Sequence, residues 1–352
     1  MSSIPIMKPT ETEKLIWTRN TPKRTGGLVR NEAFVFRHVL QWPEWFREPD
    51  KLNPDDWERK LLAGCRGEWF AHIVEGRIRI LDVGSGFGFP SFYLARYGHE
   101  VVGVDPSTSE IATANKLASN IKPRGKVSFR VIEESSFPFP DNSFDAATLS
   151  TSLECVADPE FTLGELKRVL KPGSPLAIEE EDRSVGPDTH PVWEKSSLTF
   201  FDDAAWLWYE LRIKNPHMDR RYMIQLDASG TLAPSIRELK QIILSKNRGL
   251  PTIDIADTGV SLQEILSVAG NAQYSEARGY DPSSLCQLLN DTGFSDIRFY
   301  SLPNGREFAS SLKSYGLLES MPDDVRGILR ALVESAPRHK TPDSTVVSCR
   351  TP

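Results

Sequence analysis

The chain lacks the residues that would announce a metal centre or a disulfide scaffold. Its four cysteines in 352 residues (Cys65, Cys155, Cys286, Cys349) show no CxxC spacing, which excludes a disulfide framework and a cysteine zinc site. Its six histidines form no HxH or HxxxH pair, so no metal is expected. No apolar run approaches the ~20 residues of a membrane-spanning helix. "MSSIPIMKPTETEK" at the N-terminus has no apolar core flanked by a cleavage site, and the expected location is cytoplasmic, without a membrane span. Basic residues are outnumbered, 42 Lys and Arg against 48 Asp and Glu, for a net charge of −6. That balance disfavours a large nucleic-acid footprint, and "TRNTPKRTGGLVR" at 18–30 reads as a solvated basic arm. What remains, 39% hydrophobic and 26% charged residues, describes a soluble globular chain long enough for one large domain with insertions or for two domains.

The most informative stretch is "ILDVGSGFGFPSFYLARYGHEVVGVDPS", residues 80–107. It reads as a buried strand, a turn sharpened by Gly84, Gly86 and Gly88, a helix opened by Pro90 at its first position and stopped by Gly98, and a second strand ending in Asp105. Asp105 lies 21 residues beyond Gly84, where an acid accepts hydrogen bonds from a ribose diol. A dinucleotide fingerprint needs glycine at 89, where Phe89 stands, and a phosphate-binding loop needs a Gly-Lys-Ser/Thr that is missing. NAD and ATP are disfavoured, leaving a nucleoside with a non-phosphate tail.

Further along, "KVSFRVI", "SFDAATLS", "PLAIEE", "SDIRFYSL" and "STVVSC" read as strands. The helices between them open on Ser107 with Glu110, on Asp158-Pro159 and on Asp281-Pro282, and Gly173 and the glycine after Thr292 serve as stops. Strands alternating with helices give a doubly wound α/β sheet. Taken together, "LDVGSGFG", "VVGVDPS", "FPFPDNSFDAATLSTSLECVADPEFTLGELKRVLKPGSPLAIEEED" and "DPSSLCQLLNDTGFSDIRFYSLPNG", in that order, resemble the class I S-adenosylmethionine-dependent methyltransferases over a little over half of the chain.

The resemblance implies a Rossmann-like seven-stranded sheet with an antiparallel last strand and S-adenosylmethionine as methyl donor. It places Gly84, Ser85, Gly86 and Gly88 against the cofactor's amino-acid tail and ribose, and Asp105 with Pro106 at the ribose hydroxyls. Glu133 and Glu134 fall at the adenine-contacting position, where the family more often has aspartate in an Asp-Ala pair. Asp82 would orient the turn or the cofactor's ammonium group, and Ser150 falls at the same carboxyl edge of the sheet.

The domains expected are a helical, aromatic N-terminal segment (1–72), the cofactor-binding core (73–185), a mainly helical lid insertion (186–280), and the rest of the core (281–352) with a helical insert at about 306–336. Helices are expected at "NPDDWERKLLAGCRGEWFAHIV", "FFDDAAWLWYELR" and "SIRELKQIILSKNRG", the second as an aromatic lid, an inner stripe of the insertion or a homodimer contact. The catalytic candidates are Glu154, as a base or amine anchor, with His190 and Tyr209 in the insertion and His217 beside them. Glu179, Glu180, Glu181 and Asp182, where the fifth strand leaves the sheet, suit a cationic substrate, a divalent ion or a solvated loop. The absence of an Asp-Asn pair after that strand favours the amine over metal-assisted O-methylation.

The expected activity is methyl transfer to a small-molecule acceptor by in-line displacement. The alternatives are an RNA or protein methyltransferase and a cofactor-binding regulatory subunit without turnover. Against a nucleic-acid acceptor stands "LSTSLE", where many amino-methylating enzymes of that kind carry Asn/Asp/Ser-Pro-Pro-aromatic.

Overall fold

The computed structural model describes residues 9–24, 57–121, 123–133, 136–180, 192–201, 204–214, 217–226, 252–302, 314–315, 326–340 and 345–352. The chain divides into two compact units, Met1–Val29 with Asp188–Ala277, and Arg30–Pro187 with Arg278–Pro352.

The larger unit is built on an eight-stranded sheet. From one edge its order is Arg338–His339, Ser295–Tyr300, Val346–Arg350, Pro175–Glu179, Ala146–Ser150, Arg79–Val83, Glu100–Asp105 and Lys126–Val131. The five strands from Pro175–Glu179 to Lys126–Val131 pair in parallel, and Val346–Arg350 inserts antiparallel between Pro175–Glu179 and Ser295–Tyr300. This is the doubly wound, mostly parallel sheet with an antiparallel strand that the sequence leads one to expect, with the two-residue strand Arg338–His339 added at its rim.

Period-two alternation divides the strands between two cores. Leu81, Val83, Val102 and Val104 pack on one face with Leu163, Leu166, Leu285 and Leu289 from helices Pro159–Val169 and Pro282–Asp291. Ile80 and Val101 pack on the other with Trp69, Phe70, Leu94 and Val333 from helices Trp57–Ile73, Ser91–Arg96 and Arg326–Glu334. Each such side chain contributes about 1.5–3 kcal/mol on burial.

The capping signals place the helices closely, with two corrections. Asp158 accepts from the Phe161 N–H at 2.9 Å and Asp281 from the Ser284 N–H at 2.9 Å, each with proline at the first turn. Gly293, at φ +83°, ends its helix with the Phe294 N–H bonded back to Leu289 O. Pro90, however, sits before the helix rather than inside it, as its N-cap. The helix expected to stop at Gly173 ends at Val169, because Leu170 turns extended and bridges to Phe144.

The smaller unit overturns the expectation of a mainly helical insertion. Val192–Phe201, Ala204–Lys214 and His217–Leu226 are antiparallel strands, joined through two-residue connections and extended by Thr252–Asp254, Ala269–Arg278 and Lys23–Arg24 into a six-stranded sheet. Within the stretch expected as a helix, "AAWLWYELR" lies in the strand Ala204–Lys214, because Ala205, Leu207, Tyr209 and Leu211 bury every second side chain in one core. Aromatic and branched residues fit such a pleated surface. Short helices do occur in this unit, at Glu11–Arg19 and Leu262–Leu266.

The N-terminal stretch also does not act as one segment. Helix Glu11–Arg19, capped by Thr10 and Glu13, joins the inserted sheet through Glu13, whose carboxylate takes Arg220 at 3.1 Å and the Tyr222 hydroxyl at 2.7 Å. Helix Trp57–Ile73 belongs to the larger unit. Asn53, Pro54 and "SIRELKQIILSKNRG" lie outside the described residues. No described helix is long and apolar enough to cross a membrane.

Candidate active site

The carboxyl ends of the parallel strands carry two turns. The first follows Arg79–Val83. The Gly84 and Ser85 N–H groups bond to Val104 O at 2.9 and 3.0 Å, and the Gly88 N–H bonds to Ser85 O at 2.8 Å. Asp105, from the neighbouring strand, accepts the Gly86 N–H at 3.0 Å through Oδ2 and the Ser107 N–H at 2.8 Å through Oδ1. One carboxylate thus pins both the glycine turn and the start of the next helix.

The three glycines do different things. All have positive φ, +69°, +51° and +117° for Gly84, Gly86 and Gly88. A Cβ on Gly84 would lie 2.3 Å from the Ser152 Cβ, and one on Gly88 would lie 2.2 Å from the Phe92 ring. Their bareness serves the protein's own packing. At Gly86 a Cβ would meet only the Glu110 carboxylate, at 2.9 Å, so this is the glycine that leaves a cradle.

Ser85 Oγ beside it is buried with no hydrogen-bond partner among the described residues. Gly86, Ser85 and Asp105 together fit a ligand with a diol and a polar tail.

Asp82 is fully buried, accepts hydroxyls from Ser91 and Thr148, and so orients helix and strand from below the turn. Burial pushes its carboxyl up to about 7 against the opposing pull of those two donors. Pro106 follows Asp105 half-buried, and Glu133 stands exposed just beyond Lys126–Val131. Glu134 and His190 lie outside the described residues.

The second turn follows Ala146–Ser150. Thr151 takes a left-handed φ of +49°, its N–H bonded to Glu179 O, and the Ser152 hydroxyl donates to Val83 O at 2.8 Å. The next residues, Leu153–Cys155, form one 3-10 turn. Glu180 Oε1 accepts the N–H groups of Ser152 at 3.3 Å and Leu153 at 2.8 Å. Glu179 accepts the Ser150 hydroxyl at 3.0 Å and pairs with Arg66 at 2.9 Å. Glu154, Glu179 and Glu180 are all buried.

Burial raises Glu180 well above the carboxylate range, and the charges of Glu154 and Glu179 add to it. The Tyr280 phenol is raised by burial first, then by Glu180, with Glu154 and Cys155 contributing less.

The sequence candidates therefore separate. Glu154 and Ser150 fall in the acidic turn, Ser150 bonded to Glu179. Tyr209 belongs to the core of the other unit, where its hydroxyl donates to Glu194 at 2.7 Å and lies 2.9 Å from the Thr10 hydroxyl. Burial pushes that phenol upward, a poor state for a base. Arg66 and Tyr280 were not among the sequence candidates. The signal for Arg66 was a cation between Cys65 and Gly67, the first charged residue after "LLAGC".

Residues 81–178 match the family model of a methyltransferase domain. Among curated relatives, the chain is similar to the demethylmenaquinone methyltransferase of Renibacterium salmoninarum, 36% identical over 122 residues, which cover 35% of this chain and 46% of that protein. It is also similar to the O-methyltransferase resE of Aspergillus sclerotiorum, 38% identical over 100 residues, 28% of this chain and 38% of that protein. The chain thus spans less than half the length of either relative. Among solved structures it is similar to the CcbJ methyltransferase of Streptomyces caelestis, at 14% identity and a TM-score of 0.46 over 76% of this chain and 90% of that one.

Proposed function

We propose that the protein transfers the methyl group of S-adenosylmethionine to a small-molecule acceptor. The observation that carries this is the Asp105 carboxylate holding the Gly86 N–H at a glycine whose Cβ position is faced by the Glu110 side chain alone. A rigid cradle of this kind needs no reorganisation when ligand arrives. Asp105 takes the ribose hydroxyls, while the backbone at Ser85 and Gly86 lines the amino-acid tail. Glu133, with Glu134, takes the adenine end. When bound, the cofactor supplies a methyl group on a positively charged sulfur that leaves neutral.

The chain's own work is then to align the acceptor behind that methyl, exclude water and receive the acceptor's proton. Glu154, at the adjoining turn, is the candidate for the last of these. The demethylmenaquinone named for the Renibacterium relative is a small molecule, which supports an acceptor of that size.

Calorimetry tests the cofactor half. S-adenosylmethionine is expected to bind the full chain, with no competition from NAD or ATP, and Gly86→Val is expected to abolish binding. Tight NAD binding, or unchanged affinity in the variant, would overturn the assignment.

A further inference from the structure

The acidic turn contains one group that the cofactor side does not use. Of the three buried carboxylates, Glu179 is committed to Arg66 and the Ser150 hydroxyl. Glu180 spends Oε1 on the Ser152 and Leu153 N–H groups. Its Oε2 is buried and has no hydrogen-bond partner among the described residues, on a side chain only 2% exposed. Leaving a carboxylate oxygen dry and unpaired is costly unless a proton or a cation accompanies it.

The groups acting on it are Glu154 and Glu179, with Tyr280 beside them and Cys155 and Arg278 acting on Tyr280. Three carboxylates are set against the guanidinium of Arg66, whose partner is Glu179 rather than Glu180. Among the described residues the carboxylates there outnumber the guanidiniums of Arg66 and Arg278, and the unpartnered acceptor is on Glu180.

We propose that Glu180 Oε2, together with Glu154, seats the amino group of a primary or secondary amine, so that nitrogen is the atom methylated. The proposal rests on the methyltransferase reading above. An ammonium has several N–H donors, enough to reach both carboxylates, whereas a hydroxyl has only one. In the ammonium form the nitrogen has no lone pair to react, so a proton first moves from nitrogen to the Glu154–Glu180 pair. The freed lone pair then forms the bond to the methyl carbon while the carbon–sulfur electron pair returns to sulfur. The products are a methylated ammonium and a neutral thioether, and the carboxyl pair later gives its proton to solvent.

Glu180→Gln isolates the atom in question. The amide oxygen still accepts the Ser152 and Leu153 N–H groups, and only the vacant oxygen becomes an NH₂. The probe is ¹³C-methylammonium titrated into the full chain with S-adenosylhomocysteine bound, followed by NMR, with methanol as its neutral isostere. Saturable methylammonium binding is expected, with no response to methanol. Glu180→Gln should weaken it at least tenfold while its melting temperature and S-adenosylhomocysteine affinity stay at the wild-type level. Equal binding in wild type and variant, no methylammonium binding at all, or magnesium binding at the pair by calorimetry would each overturn the amine assignment. Failure of wild-type protein to bind S-adenosylhomocysteine would instead overturn the methyltransferase reading.

Discussion

The turns after Arg79–Val83 and Ala146–Ser150 sit on neighbouring strands and use one device in two ways. Each is fastened by a carboxylate from the end of an adjacent strand: Asp105 for the first, Glu180 for the second. Asp105 engages both oxygens with backbone N–H groups, at Gly86 and Ser107. Glu180 engages one oxygen and buries the other unpartnered among the described residues. A carboxylate with both oxygens engaged acts as a rigid brace, whereas one left half-engaged in a dry setting retains an unmet demand for a proton or cation. The first arrangement shapes a cradle and the second stores chemical potential.

The comparison can be broken most severely at Gly84. Valine there must occupy the space of the Ser152 side chain at a φ of +69°, so both turns are distorted at once. Overpacking and backbone strain together are expected to cost on the order of 3 kcal/mol or more. Thermal unfolding of Gly84→Val should show a loss far larger than that of Gly86→Val, and equal losses would remove the distinction between the two glycines.

Asp105→Ala comes next. Losing a charged acceptor is expected to weaken S-adenosylmethionine binding by about 1.5–3 kcal/mol. A titration with unchanged affinity would mean that the brace does not touch the ligand.

Glu180 sharpens the contrast through a pair of variants. Glu180→Ala strands the Ser152 and Leu153 N–H groups and should cost about 1–3 kcal/mol of stability in urea, while Glu180→Gln should cost little or nothing. Equal losses in the two variants would show that the charge, not the N–H contacts, fastens the turn.

A further contrast is the pH response of Asp82. Its carboxyl is raised from 3.8 to about 7, so the native state holds the proton more tightly than the unfolded chain. Its favourable contribution is therefore full below about pH 4 and declines as pH rises through 7. The stability difference between wild type and Asp82→Asn should shift against wild type over that interval, and a flat difference would contradict the burial argument.

What the sequence made legible follows the range of the forces involved. Gly84–Gly88, Asp105, Asp158-Pro159 and Asp281-Pro282 act through local backbone geometry, so short patterns reveal them. The inserted sheet was not legible because "AAWLWY" is a short apolar run, and the strand identity of Ala204–Lys214 depends on pairing Ala205 with Leu226 and Tyr209 with Tyr222 across the next strand. Short apolar runs are ambiguous until partners are known. Arg66 and Tyr280 were hidden for a related reason. Their roles are set by an ion pair with Glu179 and by the charges of Glu180 and Glu154, a hundred residues or more away along the chain.

The Ser152 side chain occupies the space that a Cβ on Gly84 would need, and its hydroxyl ties to Val83 O. Anyone recombining this domain with another must therefore treat positions 84 and 152 as a single exchangeable cassette. A graft that imports a foreign glycine loop with the native Ser152, or a foreign acceptor-side loop with the native Gly84, breaks a steric match that neither loop carries alone. Crossover points for chimeras belong outside the interval from 79 to 155, and a library that randomises one of the two positions should randomise the other with it.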